Sequence, residues 1–239
     1  MRIFAHMKTK FTLSLLAGIL LSVSLPAQNT TARFSDSSTA LEKYMVPAGA
    51  DAAAPDSDGF IGRWLLLEPI SKPSRTNTVF TDSYIREVFG ETYFPGQLGD
   101  VLPKDGSKVK KLKLRWHAMD SKAYNVKLFR YATNLSPVRY GVIFWAATVV
   151  NCEEDIPYVR MFVGSNSASM WWVNGEEAVI LSGDRRMVMD DCASEPLTLH
   201  KGRNVIWGAV INGPGMSDFC IRFLDGNGKP VKNFTITTK

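Results

Sequence analysis

Residues Val163 to Leu181 read VGSNSASMWWVNGEEAVIL, and this stretch decides the fold. Asn174-Gly175 lies between two apolar runs. A type I′ turn needs positive φ at both central residues, and Asn-Gly adopts that conformation easily, so the stretch is expected to be strand, tight turn, strand. Successive strand residues point to opposite faces. Trp171 and Trp172 therefore cannot enter the same core. With a two-residue loop, Val173 opposes Glu176, Trp172 opposes Glu177, Trp171 opposes Ala178 and Met170 opposes Val179. One face then carries Trp171, Val173, Ala178 and Ile180; the other carries Met170, Trp172, Glu177 and Val179. The first is the more apolar, so Trp171 is assigned to the core.

The same texture extends outward. FIGRWLLLEPI, from Phe60, is an apolar strand ended by Pro69. Thr81 or Asp82 caps a short helix with Ile85, Val88 and Phe89 on its apolar face and Gly90 as its stop. Pro103 to Lys111 is a turn with a basic hairpin arm. Strand-like runs follow over 113–118, 125–132 and 140–150. The last, YGVIFWAATVV, is apolar on both faces, as a central strand covered on both sides reads. Further strands are expected over 159–163, 187–189, 219–224 and 231–236. Leu197 to Leu199 and Asn204 to Ile211 are expected to pair through Lys201-Gly202. In the 219–224 strand Phe219, Ile221 and Phe223 point inward, and Cys220 and Arg222 outward. Many short strands at close spacing, with turn signals and little helix, indicate an all-β sandwich or jelly roll with one or two short helices.

The chain has 239 residues and a formal charge of +5. Arg2, Lys8 and Lys10 lie within residues 1–27, where there are no acids; without them 25 basic residues face 23 acidic ones. The longest basic run is Lys110-Lys111, which excludes a nucleic-acid footprint. Lys8 and Lys10 followed by an apolar run to Leu25 read as a signal peptide cleaved near Ala27. The run is too short for a membrane span. A secreted or periplasmic location follows as an expectation. Residues 28–58, rich in Ser, Thr, Ala and Asp, read as a flexible leader, or as a segment packing on the domain edge through Tyr44 and Met45. The domain itself is placed at 59–239. Cys152, Cys192 and Cys220 allow one disulfide and a spare thiol, or three thiols.

The order of motifs resembles a known family. Trp172-Val173-Asn174-Gly175 is followed by a charged loop. Then comes Leu197-Thr198-Leu199-His200-Lys201-Gly202-Arg203-Asn204-Val205-Ile206, and then Phe219-Cys220-Ile221-Arg222-Phe223. From about Tyr140 to Phe234 this is similar to the galactose-binding-like jelly-roll modules of secreted bacterial carbohydrate-active enzymes, especially those accompanying acetylxylan and feruloyl esterases. The family commonly has a G-S-D-D-G-like segment where this chain has Gly164-Ser165-Asn166-Ser167. The resemblance implies a non-catalytic module for plant-type polysaccharide or oligosaccharide, or the leading module of an esterase, with the esterase domain as a partner.

Trp172 is the first candidate for ligand stacking, because a pyranose presents a flat C–H face to an aromatic ring. The competing reading packs it under another sheet or loop. Arg185, Arg186 and Asp190, in the charged loop, are the candidate polar partners, and Trp116 is a further aromatic. Asp184, Asp190 and Asp191 are candidates for structural calcium, although calcium takes six or more oxygens. No other cofactor and no metal ligand set is expected. The G-x-S-x-G pattern of a serine hydrolase is absent, and His117 and His200 are the histidines beyond the leader, so no catalytic residue is assigned, and an intrinsic hydrolase, a carbohydrate esterase, stays as the last alternative.

Overall fold

The computed structural model describes residues 41–92, 97–109 and 111–239. The expected signal peptide and residues 28–40 of the expected leader lie outside them. Fourteen strands are described, as follows: β1 (Met45–Pro47), β2 (Arg63–Leu67), β3 (Ile70–Ser71), β4 (Lys108–Val109), β5 (Leu114–Ser121), β6 (Val142–Cys152) and β7 (Ile156–Ser165), then β8 (Ala168–Val173), β9 (Glu176–Leu181), β10 (Cys192–Ala193), β11 (Leu197–Leu199), β12 (Gly202–Asn212), β13 (Phe219–Leu224) and β14 (Phe234–Thr237). Two helices join them, α1 (Asp82–Glu91) and α2 (Leu128–Leu135). The larger sheet runs β1-β5-β2-β6-β12-β8-β9; in the smaller one β7 pairs with β13, β10 and β11. All described strand pairs are antiparallel, and the two sheets make a β-sandwich. No described helix is long and apolar enough to cross a membrane.

Strict alternation along β6 builds two cores. Val142, Phe144, Ala146 and Val150 face the smaller sheet, where Trp64, Trp171 and Phe219 also meet. Ile143, Trp145, Ala147 and Val149 face the opposite side, under Phe80 and the apolar face of α1, Ile85, Val88 and Phe89. The expectation of a central strand covered on both sides holds. β12 follows the same rule, with Val205, Trp207, Ala209 and Ile211 in the second core and Ile206 and Val210 in the first. Gly208 sits against the Trp171 ring; a Cβ there would lie 1.9 Å from it. Buried indoles need a partner for the ring N–H. Trp64 donates to the Ile61 carbonyl, Trp171 to Ser169 Oγ, Trp145 to Thr92 Oγ1 and Trp207 to the Gly99 carbonyl.

The β8–β9 hairpin forms as expected, with φ of 51° at Asn174 and 83° at Gly175. Its register departs from expectation beyond the first two pairs, Val173 with Glu176 and Trp172 with Glu177. Trp171 opposes Val179 and Met170 opposes Ile180. A bulge at Ala178 moves the faces over by one residue, so Val179 and Leu181 join Trp171 and Val173 in the sandwich core. Asn174 is fixed by tertiary contacts as well as by turn chemistry. Its Oδ1 accepts from Val205 N at 2.8 Å, and its Nδ2 donates to Asn204 Oδ1 at 3.1 Å. Asn204 is fully buried and closes the 200–204 turn by accepting from His200 N and donating to the His200 carbonyl. The asparagines of the two motifs that carry the family resemblance are therefore bonded to each other and hold the fold.

Three expectations about elements are corrected, and for residues 41–58 the edge-packing alternative holds. Residues 125–132 are not a strand; Leu128, Tyr131 and Ala132, at helical spacing, bury one face of α2. β11 and β12 do not pair. β11 joins β7 in the smaller sheet and β12 joins β6 and β8 in the larger, so the Lys201-Gly202 turn carries the chain between sheets. Residues 187–189 are loop, not strand. The 41–58 segment belongs to the domain: β1 pairs with β5, Met45 is buried, and Ala53 bridges Ile236. Arg63 fastens this segment by bonding Asp120 through two nitrogens and the Asp51 carbonyl. The three cysteines are free thiols; Cys152 and Cys220 are buried and Cys192 half-buried.

Candidate functional site

The structure removes the two tryptophans from the candidate site. Trp172 is 4% exposed and stacks on Trp145, with ring centroids 5.6 Å apart and planes at 23°. Alternation does turn it away from Trp171, but the face it reaches is a second core, because α1 covers that side of the sheet. Trp116 is 1% exposed and lies edge-on to Trp207. Neither offers a ring face to a ligand.

The charged loop after β9 is engaged mostly with the protein itself. Arg185 bonds Asp191 through two nitrogens and donates to the Ser182 carbonyl. Asp190 takes a two-nitrogen bond from Arg222, whose guanidinium also lies 4.7 Å from the Phe60 ring centroid. Asp184 accepts from Asn77. The carboxylates of Asp184, Asp190 and Asp191 thus go to separate partners and do not converge. Arg186 is exposed and joins no cluster with Trp172 or Trp116. The loop lies so close over β7 that a Cβ on Gly164 would stand 1.9 Å from the Val188 carbonyl oxygen. It also covers Cys220, which is therefore buried rather than outward-facing, and burial pushes that thiol up to about 12.

An aromatic side chain stands at an open groove where the loops 72–77, 136–141 and 212–218 meet. Tyr140, two residues before β6, is 48% exposed. Its ring rests on Phe129 of α2, with centroids 5.5 Å apart, and the Arg139 guanidinium lies 5.9 Å from its centroid. Tyr140 lines an open groove of about 620 Å³ with Pro73, Ser74, Arg75, Gly141 and Pro214. The backbone behind the ring is held on two sides. Gly141 N donates to the Gly213 carbonyl, and the Gly141 carbonyl accepts from Lys72 N. Gly141 has φ of 58°, and a Cβ there would lie 2.8 Å from Pro73 Cα, so both the turn and the close approach require glycine. Asn77 extends the clasp by accepting from Gly213 N while donating to Asp184.

A buried polar cluster anchors the other side of this end. Asp218, 4% exposed, accepts from Lys127 Nζ at 2.8 Å, and its backbone carbonyl accepts from Asn166 N. The Ser217 carbonyl accepts from Phe129 N, so the same loop seats the residue under Tyr140. Burial raises the Asp218 pKa, and the bond and charge of Lys127 oppose the rise.

The sequence reading assigned Tyr140 to the start of the β6 strand and missed it as a surface ring. The signal is local: an aromatic between Arg139 and Gly141, two residues before an apolar run and after Ser136-Pro137. Among the described residues, the charged loop predicted to bind touches this end through Asp184 and the Arg185 carbonyl, which accepts from Ser167 N.

No model of a known protein family matches the chain, and no curated protein matches it. Among solved structures, the PA14 domain of the antifreeze protein MpAFP is 13% identical, with 79% of this chain and 96% of that one covered and a TM-score of 0.42. A PA14 sugar-binding domain from an RTX adhesin is 12% identical over 73% of this chain and 96% of that one, with a TM-score of 0.40. The Epithelial Adhesin 9 A domain from Candida glabrata, in complex with Galβ1-4GlcNAc, is 8% identical over 82% and 97%, with a TM-score of 0.37. These are distant likenesses, and the Tyr140 site rests on the geometry of this chain alone.

Proposed function

We propose that this β-sandwich is a non-catalytic carbohydrate-binding module and that Tyr140 is its stacking platform. The observation that carries this reading is a half-exposed ring, held rigidly by Phe129 and the Gly141 clasp, at the edge of an open groove. A ring of this kind offers a sugar its apolar face at low ordering cost, and polar groups around it, Ser74, Arg75 and Arg139, can take hydroxyls. A single platform in an open groove supports weak binding, on the order of 10⁻⁴ to 10⁻³ M per site. The non-catalytic part of the reading is supported by the histidines. His117 lies 3.0 Å from Glu68, and His200 is exposed beside Asp155. Neither hydrogen-bonds a serine, threonine or cysteine among the described residues. In the finer form of the proposal the ligand is a plant-type polysaccharide met outside the cytoplasm, with a carbohydrate esterase as neighbouring module.

Glycan-array screening followed by calorimetry on the domain tests this. Tyr140→Ala is expected to weaken binding at least tenfold while the far-ultraviolet spectrum and Tm stay near those of the parent. Unchanged affinity in a folded variant would remove Tyr140 from the site. Turnover of a simple ester substrate by the parent would overturn the non-catalytic reading.

A further inference from the structure

The charge distribution around Tyr140 indicates which sugars the groove favours. Four arginines elsewhere in the domain are paired with carboxylates: Arg63 with Asp120, Arg86 with Glu177, Arg185 with Asp191 and Arg222 with Asp190. Arg75 and Arg139 have no carboxylate partner among the described residues; Arg139 has only the Tyr140 ring near it. Both flank the platform, Arg75 from the 72–77 loop and Arg139 from the residue before the ring. No acidic side chain lines the groove. Of the acids at this end, Glu91 is paired with Lys72 and Asp218 with Lys127, and Asp184 accepts from the Asn77 amide. The groove therefore has the Arg75 guanidinium in its lining and the Arg139 guanidinium against its ring, neither with a carboxylate partner among the described residues.

We propose that the Tyr140 groove selects a carboxylated sugar, a uronate unit, over its uncharged counterpart. The proposal rests on the sugar-binding reading of this site and adds the substrate class. A planar guanidinium matches a carboxylate through two parallel N–H···O bonds, which a hydroxymethyl or methyl ester group cannot reproduce. A uronate presents the same C–H face to an aromatic ring as its neutral analogue, so the ring supplies affinity and the arginines supply the choice. The groove is open to solvent, so each ion pair is screened and the preference is moderate and salt-dependent.

Calorimetry with trigalacturonic acid and its fully methyl-esterified form isolates the charge at constant ring shape. In 50 mM salt the acid is expected to bind ~10-fold more tightly than the ester, and the ratio is expected to shrink at 500 mM. The double variant Arg75→Gln/Arg139→Gln should bind acid and ester alike. Tyr140→Ala should weaken both. Equal binding of acid and ester by the parent, or a preference that survives in the double variant, overturns the uronate inference and leaves the sugar reading standing. Failure of the parent to bind these two probes, together with no hit among neutral glycans, overturns both. Both arginine substitutions are at exposed positions, and an unchanged Tm confirms that the comparison is between folded proteins.

Discussion

Tyr158 is 78% exposed and has φ of 57°, a left-handed conformation that bulky side chains rarely adopt. Its cause lies in the pairing of β7 with β11. Val159 opposes Leu197 and Ile156 opposes Leu199, so β7 carries one residue more than its partner, and Tyr158 follows Pro157 in the resulting bulge. The left-handed region costs a non-glycine residue roughly 1–2 kcal/mol, and a ring so exposed returns little burial in exchange. Tyr158→Gly is therefore expected to stabilise the domain by about 0.5–1 kcal/mol after the entropy of glycine is counted, seen as a Tm rise of roughly 1–4 °C. A lower Tm would mean that the exposed ring contributes contacts that outweigh the strain. Residue-scale constraints of another kind stand at Gly164 and Gly208, where a backbone carbonyl and an indole occupy the space a side chain would need. Neither requirement is visible in the sequence, because each depends on an element from elsewhere in the chain.

At the scale of elements, α2 and the β12–β13 loop hold the platform jointly. Lys127 precedes the helix and reaches back to Asp218, while Phe129 on the first turn carries Tyr140. Burial keeps the Asp218 pKa above the usual carboxylate range, so its protonated form favours the fold. That contribution is complete below the ordinary carboxylate value and is lost as pH rises through the elevated folded-state value. Asp218→Asn keeps the shape without the titration. The unfolding free energy of the variant, relative to that of the parent, is expected to rise from about pH 3 to about pH 7 in denaturant titrations. The opposite slope would show that the ion pair with Lys127 outweighs the cost of burial. Helix α1 has the contrasting role. Thr81 caps it by accepting from Tyr84 N, and its buried residues Ile85, Val88 and Phe89 form the lid of the second core.

For the whole molecule, the decisive feature is that both faces of the larger sheet are covered, one by the smaller sheet and one by α1 and neighbouring segments. Trp172 belongs to the second core, and its loss should act on stability. Trp172→Ala is expected to cost about 3–5 kcal/mol, a large share of the 5–15 kcal/mol typical of a domain, measured by chemical denaturation. Sugar binding per folded molecule should be unchanged, because the Tyr140 groove draws nothing from Trp172. A selective loss of binding with stability intact would return Trp172 to the site.

Much of this architecture was written locally. The Asn174-Gly175 turn, the alternation along 142–152, the helix capped by Thr81 and the inward set Phe219, Ile221 and Phe223 each depend on a few neighbouring residues, and the structure bears them out. What pairs with what was decided by tertiary structure. β11 and β12 lie either side of a turn yet enter different sheets, and the bulge at Ala178 reassigns Val179 and Leu181 to another core. The candidate site was the least legible part. Alternation placed Trp171 and Trp172 on opposite faces, which is a property of one strand. Whether a face meets solvent or a second layer depends on α1, more than 80 residues earlier in the chain. The sequence by itself determined the alternation of side chains along each strand wherever no bulge interrupts it. Only the packed structure decided which ring was left open, because exposure depends on what the rest of the chain places over it, and at Tyr140 a floor of Phe129 and the neighbouring Arg139 guanidinium leave the ring half-exposed.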